Sequence, residues 1–185
     1  MKNIPVGLRA YRNKYDFDMD VSIGIDNGPT GSVGILTRDG RSHYEPMPSF
    51  TMRDYTKKKQ TIERIDRVKL RAILYQYFKP KDDVFCNIER PMINPKMFRA
   101  SIIAARAFES VLLTVEELGI KYDVIDSRIW QNKLLPKGTQ GETALKQESF
   151  NLGLKLYPGL AEGIIKQNDA DGLLIAHYAM YAEEY

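Results

Sequence analysis

A single cysteine, Cys86, among 185 residues leaves no partner for an internal disulfide. No uninterrupted apolar run is long enough to cross a membrane. The N-terminal stretch MKNIPVGLRAYRNKYDF lacks the apolar core of a signal peptide. These absences lead us to expect a cytoplasmic protein with no membrane partner. A strong charge of one sign is missing too: 27 Lys and Arg against 24 Asp and Glu leave +3, so composition alone does not identify a nucleic-acid binder. No internal repeat or low-complexity segment is found, and the length supports one well-buried core but not two substantial domains. We therefore expect an N-terminal arm over 1–19, where aromatic and basic residues mix without periodicity, and one domain over 20–185.

What is present is organised around DVSIGIDNGPTGSVGILT, Asp20 to Thr37. Val21, Ile23 and Ile25 alternate with smaller residues and lead to Asp26; a glycine-rich turn follows, and Val33, Ile35 and Leu36 resume the pattern. This predicts a hairpin with a carboxylate at its lip. Glycines leave little bulk around that acid, so a metal, a phosphate or a nucleic-acid backbone could come close; the plainer reading is a turn cap.

Further along, Gly40 to about Ser49 suits a third strand, and a basic connection runs through Thr51 to Lys59. From Thr61 the apolar residues Ile62, Ile65, Val68, Leu70, Ile73, Leu74, Tyr77 and Phe78 have helical spacing. Val84 to Ile88 reads as a buried strand ending on Glu89, and an alanine-rich helix from Phe98 or Ala100 to Leu118 is closed by Gly119. Tyr122 to Ile125 makes another strand, ending at Asp126. A loop with Lys133 and Lys137 comes next, then a helix from about Thr143 to Leu156 carrying Lys146, and a last helix from near Asn168 to about Ala182. Alternating helices and strands predict an α/β fold, a mixed sheet flanked by helices on both faces.

Asp26, Glu89 and Asp171 all stand at element ends, where an α/β sheet places its sites. Divalent magnesium or manganese takes hard oxygen ligands, and two such ions can clamp the attacking and leaving oxygens of a phosphodiester. Each acid also has a structural alternative: a turn cap for Asp26, an ion pair with Arg90 for Glu89, and a helix cap for Asp169 or Asp171. Basic runs at Arg9, Arg12 and Lys14, at Lys57 to Lys59, and at Arg64, Arg67, Lys69 and Arg71 are ordinarily solvated faces, with a phosphate-tracking surface as the alternative.

IGIDNGPTGSVGIL, then NIERP with a following NP and an alanine-rich helix, IDSRIWQNKLLPKG and NDADGLLIAHYA together resemble the RuvC-like Holliday junction resolvases of the RNase H-like superfamily, particularly their phage-borne members. The resemblance spans most of Val21 to Ala179. It implies an RNase H-like fold and a homodimeric endonuclease that nicks symmetric strands of a four-way DNA junction. It also implies two Mg2+ ions per site, with Mn2+ able to substitute. Asp26, Glu89 and Asp171 match its metal-binding acids. The fourth acid falls on Asp169, with Asn168 as the alternative, and Asp169 can share the site only if it lies at or before the helix N-cap. No histidine is assigned a catalytic role.

Lys146, in Lys-x-x-Ser with Ser149, resembles a family lysine that meets the DNA backbone; Lys133 and Lys137 are further candidates, and a solvated helix lysine is the alternative. Met97 and Phe98 fall in the loop where relatives set a wedge against bases, unless these side chains merely pack at the helix start, and Arg99 is a further DNA-binding candidate. Trp130 reads as core rather than as a stacking platform. Ile103, Ala107, Val111 and Leu112 could form the dimer surface or simply cover the sheet.

Three other readings stay open. Asp-x-Gly-x-Thr at Asp26, Gly28 and Thr30 also resembles the phosphate loop of actin-like and sugar kinases, which need a second such domain. A non-catalytic branched-DNA binder and an RNase H-like nuclease with a different substrate are the others.

Overall fold

The alternation of Val21, Ile23 and Ile25 with Ser22 and Gly24 does form a strand, β1 (Val21–Ile25), in a computed structural model that describes residues 19–54 and 60–181. β2 (Ser32–Thr37) and β3 (Ser42–Pro46) follow as antiparallel neighbours. β4 (Ser49–Arg53) and β5 (Thr61–Ile65) pair with each other as a separate two-stranded ribbon. Next come α1 (Arg67–Tyr75), β6 (Val84–Glu89), α2 (Phe98–Glu117) and β7 (Lys121–Ile125). The chain then runs through α3 (Ser127–Leu134), α4 (Glu142–Leu156), α5 (Ala161–Gln167) and α6 (Asp171–Tyr181).

The main sheet has the order β3-β2-β1-β6-β7, with β1, β6 and β7 parallel. Large residues on one face of β1 and β2, namely Val21, Ile23, Ile25, Val33 and Ile35, bury against Leu70 and Leu74 of α1 and Ala107, Val111 and Val115 of α2. On the other face α6 lies over β1 and β2, with α3, α4 and α5 around it. That face is lined with small residues. Ser22, Gly24, Ser32 and Gly34 alternate with the large ones, and the Ser22 hydroxyl donates to the Ala176 carbonyl at 2.7 Å. Nine of the 11 residues of α6 are buried, as expected of a helix that is apolar nearly all round.

Several expectations need correction. Thr61–Ile65 is a strand, not the start of a helix: Ile62 and Ile65 are buried, but Asp66 caps α1 by accepting from the Lys69 N–H at 3.1 Å. Thr51 to Arg53 belong to β4 rather than to a connection. The segment read as a loop after Asp126 contains α3, which Asp126 caps through the Arg128 N–H at 3.0 Å, and α5 was not foreseen. Ala107 and Val111 cover the sheet and are not available as a dimer surface. The arm over 1–18, the basic runs at Arg9 to Lys14 and Lys57 to Lys59, and the expected helix end at Ala182 lie outside the described residues. Among the described residues no helix is long and apolar enough to cross a membrane.

Candidate metal centre

Parallel pairing sets Ile25 beside Ile88, so Asp26 and Glu89 emerge from adjacent strand ends at the carboxyl edge of the sheet, where the strand order reverses. Asp26 begins the turn; its N–H donates to the Ser32 carbonyl at 3.0 Å. A Cβ on Gly31 would stand 2.2 Å from the Asp26 carbonyl oxygen and 3.0 Å from its Oδ2, so a glycine is required beside this acid.

α6 brings the other acids. Asn168 takes a left-handed conformation (φ 52°) that ends α5, and Asp169 precedes the first residue of α6. Asp169 Oδ1 accepts from the Asp171 N–H at 3.1 Å and Oδ2 from the Ser32 hydroxyl at 2.6 Å, while the Tyr44 hydroxyl donates to the Asp169 carbonyl at 2.6 Å and lies 3.0 Å from Oδ2. Its position ahead of the helix lets Asp169 turn towards Asp171. One oxygen from each of Asp26, Asp169 and Asp171 lies within 4.8 Å of the others. Glu89 is outside that tight group, although its charge bears on both Asp26 and Asp171; its Oε2 accepts from the Trp130 indole N–H at 3.0 Å.

Burial, and then mutual repulsion, shape the protonation of these acids. Asp26 is raised well above the usual carboxylate range by burial and then by Glu89, Asp169 and Asp171. Asp171 is pushed up to about 7 by burial, then by Asp169 and Glu89, with Ser149 and Lys146 opposing. Glu89 is raised by burial while the Trp130 N–H works against the rise. Asp171 Oδ1 is buried and has no hydrogen-bond partner. Hard oxygens converging with so little cationic compensation, one of them unsatisfied, fit a divalent cation such as Mg2+ or Mn2+.

A raised acid pKa favours the folded state below the unfolded value and loses that advantage as pH climbs through the folded value. For Asp171 the window runs from 3.8 to about 7. In EDTA, melting is therefore expected roughly 5 °C higher at pH 5.5 than at pH 8.5, the effect of about 2 kcal/mol in a chain of this length. Calorimetry at both pH values checks it, and 10 mM Mg2+ should restore more stability at pH 8.5. A flat or inverted profile would mean that burial and the neighbouring acids do not raise Asp171 in the folded state.

The remaining candidates are distributed differently. Lys146 is exposed and pairs with Glu142 at 3.0 Å, yet its charge reaches Asp26 and Asp171. Lys133 and Lys137 are exposed, in the last turn of α3 and the loop after it. Phe98 is 72% exposed and Met97 59%, so neither is packed at the helix start. Arg99 donates to the Thr61 carbonyl at 2.6 Å and bonds Gln60, tying α2 to the ribbon. His177 is buried against the Tyr157 hydroxyl, and burial lowers it to about 4.

Sequence reasoning missed Ser32 and Tyr44 on Asp169 and the polar contact of Trp130. The lone signal was Ser32 directly after the glycine-rich turn; Tyr44 reaches Asp169 only because β3 pairs beside β2.

No protein-family model matches the chain, and no curated protein matches it closely enough to count. Solved structures do. A Thermus thermophilus RuvC structure and one of T. thermophilus RuvC in complex with Holliday junction substrate each match with a TM-score of 0.55 at 16% identity, covering 89% of this chain and 96% of theirs. The chain has a RuvC-like, RNase H-like fold.

Proposed function

We propose that the chain is a metal-dependent endodeoxyribonuclease that nicks four-way (Holliday) or other branched DNA, akin to the phage-borne RuvC-like resolvases. In this reading it works as a cytoplasmic homodimer whose nuclease domain spans 20–185, preceded by an arm. The observation that carries the proposal is the convergence of Asp26, Asp169 and Asp171 beside Glu89 at the carboxyl edge of the parallel strands. One of the similar structures, described as a complex with Holliday junction substrate, supports the choice of DNA.

Asp26, Asp169 and Asp171, with Glu89, would hold two Mg2+ ions, or Mn2+ in their place. When bound, such ions supply an activated water and neutralise charge on the departing 3′ oxygen, the chemistry that gives 5′-phosphate and 3′-hydroxyl ends. The protein's own part is positional. Ser32 and Tyr44 fix the orientation of Asp169, and the Asp171 N–H fixes its other oxygen. Lys146 presents positive charge to the acids and to an approaching phosphate, with Lys133 and Lys137 meeting the backbone further out. The exposed Met97 and Phe98 contact bases at the crossover, with Arg99 beside them as a further DNA contact.

The test is cleavage of a synthetic four-way junction beside matched linear duplex and RNA–DNA hybrid, with and without Mg2+ or Mn2+. Symmetric paired nicks that need metal and disappear in Glu89→Gln are expected. Equal cutting of the hybrid would move the assignment to a broader RNase H-like nuclease. Tight junction binding without cutting under either metal would make the protein a binder.

A further inference from the structure

β6 and β7 run parallel with Glu89 opposite Ile125, and the Arg90 N–H donates to the Ile125 carbonyl at 2.8 Å. Asp126, the next residue, caps α3 with one carboxylate oxygen and pairs with Arg90 through the other. The end of β6 and the start of α3 are thus clamped together. Trp130, one turn into α3, is fully buried and sends its indole N–H to Glu89 Oε2 at 3.0 Å.

We infer that Trp130 is a positioning residue for Glu89, engaging Oε2 and leaving Oε1 as the oxygen offered to a metal; this rests on the metal-centre reading above. An indole N–H only donates, so the oxygen it holds is fixed as an acceptor and the carboxylate loses rotational freedom. A partly buried glutamate left to itself would sample several rotamers, and ordering it at the moment of metal binding would cost affinity. Groups that orient metal ligands are typically worth 10- to 100-fold in affinity. The tether also accounts for Glu89 standing apart from the tight group of Asp26, Asp169 and Asp171.

A purely packing role is separable from this one. In the full chain, Trp130 is replaced by 3-benzothienylalanine, which keeps the ring size and puts sulfur where the N–H was. Mn2+ affinity is read by calorimetry and folding by the thermal midpoint. An affinity loss of about 10-fold or more at an unchanged midpoint is expected. Affinity equal to wild type would overturn the inference.

A second measurement needs no variant. Trp130 is the one tryptophan in the chain, so its emission should change on Mg2+ titration with the calorimetric midpoint. Calorimetric binding with silent emission also overturns the inference. A wild-type chain that binds neither ion overturns the metal centre itself, and this inference with it.

Discussion

Asp171→Asn is expected to abolish metal-dependent junction cleavage while making the metal-free protein harder to melt. The two effects share one cause. Asp171 is held at about 7 because burial and the charges of Asp169 and Glu89 oppose its ionisation, so at pH 8 the folded state carries a charge it accommodates poorly. The amide removes that charge at nearly constant shape. It also removes a hard anionic ligand, and metal-ion charge stabilisation is worth several kcal/mol of barrier, roughly a thousandfold or more in rate.

Single-turnover cleavage in Mg2+ and calorimetry in EDTA at pH 8 read the two halves. Lost activity with a midpoint raised by a few degrees is the expected pair, the usual opposition between site chemistry and stability. Lost activity with a lowered midpoint would instead make Asp171 a structural residue of the α6 N-terminus.

The second large effect concerns a position with no chemistry of its own. A Cβ on Gly24 would stand 2.1 Å from the Gly172 carbonyl oxygen and 2.2 Å from the Ala176 backbone nitrogen. Both obstacles are main chain of α6, which no rotamer change can move. Gly24→Ala must therefore lift the helix from β1. Overpacking ordinarily costs about 1–3 kcal/mol, and a clash with main chain belongs at or above the top of that range.

The whole stability of such a domain is only about 5–15 kcal/mol, so the variant should melt at least 8 °C lower or fail to accumulate folded. Because α6 carries Asp171 and follows Asp169, any surviving fold should also bind Mn2+ more weakly. Gly159→Ala is the control, since a Cβ there meets nothing within 4 Å. An unchanged midpoint for Gly24→Ala would show that the helix does not sit this close.

These two sites mark what could be read from residues alone. β1 and β6 were legible because strands buried on both faces leave short apolar runs, and the more exposed edge strand β7 from the short run Tyr122 to Ile125; each is followed or closed by an acid: Asp26, Glu89 and Asp126. The long helix α2 was legible from its period and from Gly119, whose positive φ of 67° follows the helix end. The ribbon was not. Ile62 and Ile65 are three apart, which imitates a helix, and only the pairing of β5 with β4 resolves the ambiguity. α3 buries just Trp130 and Leu134, too few for a period to declare itself.

At the candidate site, the acids were visible as element ends, while their orientation was not. Tyr44 and Ser32 lie 125 and 137 residues from Asp169 in sequence, and only sheet order brings them together. The glycines of the turn after Asp26 were legible as clearance around that acid, whereas the small residues within β1 and β2 carried no such signal. Gly31 serves that purpose, but Gly24 and Gly34 make room for a helix backbone instead.

The seating of α6 on β1 also bears on how the molecule comes into being. Ser22 and Ala176 are joined across 154 residues of chain, so the contact closes a very long loop, and contacts of that kind arrive late and slowly in folding. The ribbon and the β1–β2–β3 meander can assemble from local pairings, but Asp26 meets Asp169 and Asp171 only when that last closure is made. Half-folded chains therefore carry the acids separately, with no assembled acid cluster. Completion of the fold and acquisition of the acid cluster thus coincide.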